Sequence, residues 1–131
     1  MAHILVVDDE EGIRVLITNI LVREGHDVAT ARNGVEALAA VALRVPDLVI
    51  TDLVMPEKEG IEMIIELRKK FPTIKTIAMS GGGTTGIADY LSIALAVGAG
   101  QIVSKPFTRA ALLAAVNNLV TPAAAKQTLP A

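Results

Sequence analysis

Residues 47–51 read DLVIT, three consecutive apolar side chains (Leu48, Val49, Ile50) followed by Thr51, with an acid, Asp52, directly after. A strand with one face in water alternates apolar with polar residues, whereas an unbroken apolar run marks a strand covered on both faces, as in parallel sheets. HILVV at 3–7 and TIAMS at 76–80 have the same character, and less continuous runs stand at 27–31 (DVATA) and 101–104 (QIVS). Five strands are therefore expected.

Between them the apolar spacing changes from continuous to helical. Ile13, Leu16, Ile17, Ile20 and Leu21 fall at i, i+3, i+4 intervals, and Gly25 closes the segment at a plausible C′ position. Asn33 suits an N-cap for a helix facing inward through Ala37, Leu38 and Val41, with Pro46 stopping the chain. Residues 60–70 carry Ile61, Ile64 and Leu67 on one stripe, and the terminal RKK complements the negative end of that helix. A further helix spans 87–97 before Gly98, and Thr108 caps the last, with Leu112, Val116, Leu119 and Val120 pointing inward. Strict alternation of strand and helix implies an α/β fold, a doubly wound parallel sheet with helices on both faces and right-handed crossovers. One domain is expected over 1–120, with a flexible tail over 121–131.

Composition narrows the function. Hydrophobic residues make up 52% of the 131 and aromatics 2%, so the core is built from Val, Ile, Leu and Ala. A net charge of -2 gives no long-range attraction to nucleic acid or anionic lipid. With no cysteine there is no disulfide, thiol nucleophile or thiolate metal site. No segment approaches the roughly 18 apolar residues of a membrane span, and a cytoplasmic protein is expected. His3 and His26, far apart in sequence and without carboxylate or Cys partners, receive no metal or phosphodonor role.

In open sheets of this class ligands bind beyond the carboxyl ends of the strands. Those ends carry Asp8 and Asp9, Asp52, Ser80 and Lys105. Singly, each has an ordinary use: an Asp after a strand caps a helix, a Ser makes a turn, a Lys meets solvent. Jointly they occupy one rim. The first and third strands are neighbours in a doubly wound sheet, so three carboxylates converge. Two such charges about 4 Å apart repel by about 4 kcal/mol at an effective dielectric near 20, and hard oxygen donors of this kind suit Mg2+. The glycine-rich SGGGTTG at 80–86 follows the fourth strand but lacks the Lys-Ser/Thr of a P-loop and the acidic partner of a dinucleotide fingerprint.

ILVVDDEE at 4–11, DLVITDLVMPEKEG at 47–60 and IVSKPF at 102–107 together resemble the receiver domain of two-component response regulators, in order and over nearly the whole chain to about residue 120. The resemblance implies a flavodoxin-like (βα)5 fold with strand order 2-1-3-4-5. It implies that Asp52 accepts a phosphoryl group from a phosphohistidine of a sensor histidine kinase or histidine phosphotransfer protein. Asp8 and Asp9 would hold Mg2+ with Asp52 and the backbone carbonyl of Val54; Ser80 would contact the phosphoryl group and Lys105 would be its charge partner. A carboxylate nucleophile forms an acyl phosphate, and the transfer depends mainly on positioning and charge neutralisation. The 80–86 glycines would let the backbone shift as Ser80 is drawn toward the phosphate.

The chain departs from that family at Ile102, where a Tyr or Phe is usual; a β-branched aliphatic has no ring to swing, so signalling is expected through the 80–86 loop and the 87–97 helix. Val54 and Gly82, whose side chains cannot hydrogen-bond an attacking water, bear on the phosphate's lifetime. No DNA-binding or catalytic segment is recognised after residue 120, so output is expected through contact with a downstream protein, with Ile93, Leu95, Val97 and Ile102 as candidate surface. A catalytically inert receiver-like binding module is the alternative. A phosphatase of the haloacid dehalogenase type needs D-x-D after the first strand, where this chain has Asp8, Asp9 and Glu10.

Overall fold

Among the described residues nine elements follow one another: β1 (His3–Val7), α1 (Glu11–Arg23), β2 (Asp27–Ala31), α2 (Gly34–Leu43), β3 (Leu48–Asp52), α3 (Gly60–Lys70), β4 (Lys75–Gly81), β5 (Gln101–Lys105) and α4 (Arg109–Val120). They come from a computed structural model, which describes residues 2–52, 60–81, 100–105 and 107–120. The helix expected over 87–97, the loop beyond Gly81, Val54 and the tail lie outside the described residues.

All strand pairs are parallel, in the order β2-β1-β3-β4-β5. β3 is buried at every position, because both of its faces are covered. Leu48 and Ile50 join Ile4, Val6, Ile77, Met79 and Val103 under Ile17 and Leu21 of α1 and Leu112 and Val116 of α4. Val49 joins Leu5 and Val7 on the opposite face, under Ala37 and Val41 of α2 and Met63 and Leu67 of α3. Period-two alternation along each strand thus fills two cores. β2, at the edge, is partly exposed, in keeping with its mixed composition.

Helix ends follow local chemistry. After α1, Gly25 takes φ 89°; its N–H donates to the Val22 carbonyl at 3.0 Å and the His26 N–H to the Leu21 carbonyl at 3.1 Å, which is the complete Schellman pattern. Asn33 Oδ1 accepts from the Glu36 N–H at 2.9 Å, and Thr108 Oγ1 accepts from the Ala111 N–H at 3.0 Å, so both expected caps form. At Gly100 a Cβ would meet Leu119 Cδ2 at 3.0 Å and the Thr76 carbonyl oxygen at 3.3 Å, a close approach that favours glycine where the chain enters β5.

Three expectations need correction. Leu16 is 47% exposed while Ile17 is fully buried, so the inward stripe of α1 is narrower than its apolar spacing. The third strand is Leu48–Asp52 rather than 47–51, the fourth Lys75–Gly81 rather than 76–80, and the fifth ends at Lys105 rather than Ser104; Asp47 is taken up at the third strand's entry, its N–H on the His3 carbonyl at 2.8 Å and its carboxylate accepting the His3 N–H at 2.9 Å. His3 does have a carboxylate neighbour. The β1–β2 register pairs it with Asp27, whose Oδ2 lies 3.7 Å from His3 Nδ1 and also takes the Arg44 guanidinium at 2.6 Å.

Candidate functional site

The carboxyl rim of the sheet is set by register. Val7 of β1 pairs with Thr51 of β3, and neighbouring strands lie about 4.8 Å apart. Asp8 and Asp52, each one residue further on, therefore stand side by side. Asp52 pairs in turn with Met79, and Ser80 and Gly81 pair with Ser104 and Lys105. The backbones of Asp8, Asp52, Ser80 and Lys105 thus end on one rim of four adjacent strands, as the sequence pattern requires. The side chains of Ser80 and Lys105, like Val54, lie outside the described part of the structure.

Asp8 is fully buried and Asp52 is 8% exposed; Asp9 and Glu10 face solvent. Asp8 does not cap α1. Its Oδ1 accepts the Glu10 N–H at 2.9 Å, a two-residue turn typical of Asp, while the N-cap position falls to Glu10, whose side chain makes no capping bond. This turn gathers Asp8, Asp9 and Glu10 so that one carboxylate oxygen from each lies within 4.8 Å of the others. Three hard oxygen donors around a space of that size match the preference of Mg2+ for carboxylates. Thr51, fully buried, donates from Oγ1 to the Asp52 carbonyl at 2.9 Å, fixing the peptide where the chain leaves β3.

Two residues join this region that the sequence did not single out. Glu10 adds the third carboxylate, and the acidic run DDEE was its signal. Arg14, four residues into α1, donates from Nη1 to the Asp8 carbonyl oxygen at 2.7 Å; its only mark in sequence is a charge inside the apolar run GIRVLI. Nearby, Glu36 accepts from Arg32 Nη2 at 2.8 Å and Nε at 3.0 Å. That hydrogen bonding by Arg32 holds the Glu36 carboxyl below the usual carboxylate range, with the Arg14 charge a smaller contributor.

Residues 4–117 match the response regulator receiver domain family. The DNA-binding transcriptional regulator NtrC of Azospirillum brasilense is 35% identical over 130 residues, covering 99% of this chain and 26% of that protein. Sporulation initiation phosphotransferase F of Bacillus subtilis is 35% identical over 104 residues, covering 79% of this chain and 82% of the relative. The crystal structure of the receiver domain of NtrX from Brucella abortus aligns at a TM-score of 0.81 and 35% identity, covering 91% of this chain and 99% of that one. This chain spans only about a quarter of the length of that NtrC relative. With the acidic rim, the strand order and the family match over 4–117 in agreement, the chain belongs to the response regulator receiver domain family, the phosphoacceptor signalling domains of two-component systems.

Proposed function

We propose that Asp52 is the phosphoacceptor, taking a phosphoryl group from the phosphohistidine of a sensor histidine kinase or histidine phosphotransfer protein. Its carboxylate oxygen attacks phosphorus; the O–P bond forms as the N–P bond breaks, and the electron pair leaves with the imidazole. Asp8, Asp9, Asp52 and the Val54 carbonyl are the residues that would hold Mg2+, which when bound supplies positive charge against the equatorial oxygens. Ser80 donates a charge-assisted hydrogen bond to the acquired phosphoryl group, and Lys105 balances its charge. The phosphorylated state then passes to a downstream protein by contact, in the cytoplasm, with 1–120 as the acting domain and 121–131 as a tail.

The observation that carries this reading is the β1–β3 register, which sets Asp8 beside Asp52, next to the carboxylate oxygens of Asp8, Asp9 and Glu10 gathered within 4.8 Å. Nothing in the family match favours the inert module. Beryllofluoride with Mg2+ tests the proposal: amide shifts at the rim are expected in wild type and lost in Asp52→Asn. Wild type without response would favour inert binding.

A further inference from the structure

We propose that Arg14 is a positioning residue for the acidic turn at 8–10, holding Asp8 and Asp9 where they can meet a divalent cation; this rests on reading Asp8 and Asp9 as Mg2+ ligands. One residue clasps the turn at both ends. The Arg14 backbone N–H donates to the Glu10 carbonyl at 3.1 Å, and its guanidinium reaches back to the Asp8 carbonyl at 2.7 Å. Between those points lie the three carboxylates whose oxygens sit within 4.8 Å of one another.

The turn leads directly into α1. Its N-cap residue, Glu10, contributes no side-chain capping bond, and Asp9 and Glu10 are exposed. The Asp8 Oδ1 bond to the Glu10 N–H closes the turn on itself. Arg14 ties the turn to α1 through a charge-assisted bond at a partly buried site. Groups that orient metal ligands without touching the metal commonly change affinity by about 10- to 100-fold when removed.

The sign of the effect separates positioning from simple electrostatics. A guanidinium beside a cation site repels the cation, so a bystander charge predicts tighter metal binding once it is removed. A positioning residue predicts weaker binding. Manganese titration of the full chain, followed by water-proton relaxation and by competition with Mg2+, reads this without any phosphorylation. Arg14→Gln is expected to weaken binding about 10-fold, and Arg14→Lys, which keeps the charge and a donor, to recover most of it. Thermal melts, with Arg109→Gln as a control that breaks an ion pair to Glu24 outside the acidic turn, separate a loss of fold from a loss of site. Should Arg14→Gln not fold, the wild-type Arg14 guanidinium signal is expected to titrate with Mg2+ in step with the Asp9 and Glu10 amides. Equal or tighter binding by Arg14→Gln, an Arg14→Lys no better than Arg14→Gln, or a guanidinium signal indifferent to Mg2+ overturns the proposal. If wild type binds neither cation, the metal reading itself fails and the proposal falls with it.

Discussion

At Asn33 one side-chain oxygen occupies the Glu36 N–H that α2 would otherwise leave without a partner, so Asn33→Ala is expected to lower stability by about 1 kcal/mol in urea denaturation. His26 gives a pH-dependent counterpart. Its Nδ1 accepts the Ala2 N–H at 3.1 Å, which only the neutral ring can do, and burial pushes its pKa below 6.5. A folded-state pKa below the unfolded value means stability that is present above about 6.5 and lost as pH falls through the folded value. His26→Asn, which keeps an acceptor but does not titrate, is expected to flatten the part of the pH–stability curve between pH 7 and 5; an unchanged slope would count against this bond. Asn33 was legible because capping depends on local chemistry alone. Arg14 was not, because nothing in a sequence says that a guanidinium turns back onto a carbonyl six residues earlier.

Neighbouring positions of α1 show what an element reveals only on packing. Leu16 and Ile17 both fit a helical apolar pattern, yet one is 47% exposed and the other fully buried. Ile17→Ala is expected to cost about 2–5 kcal/mol through the cavity it leaves, and Leu16→Ala to stay within about 0.5 kcal/mol; equal losses would mean that α1 is rotated from the described orientation. The spacing marked a face without giving its width, since width depends on which strands lie beneath. Strand positions were more legible. Continuous apolar runs required cover on both faces, and β3 has it; its bounds moved on by one residue at each end, Asp47 bonding to His3 at the strand's entry and Asp52 ending the strand.

Over the whole molecule, function depends on distant stretches meeting at one rim. Motif order in the sequence implied that meeting; the distances within the acidic turn came only from the fold. Crowded carboxylates oppose folding until a cation arrives, with a Coulomb cost of about 1 to 4 kcal/mol for a pair about 4 Å apart between water-like and surface dielectrics. Asp52→Asn is therefore expected to melt higher than wild type without Mg2+ and to gain less when Mg2+ is added; the reverse ranking would separate Asp52 from the acidic turn. The central claim is tested most directly by treating the chain with acetyl phosphate and Mg2+, trapping the acyl phosphate with borohydride and mapping the reduced residue by mass spectrometry. Reduction at Asp52 alone, absent without Mg2+ and in Asp8→Asn, is the predicted result. Reduction at another carboxylate, or equally at Asp52 with no divalent cation present, would contradict it.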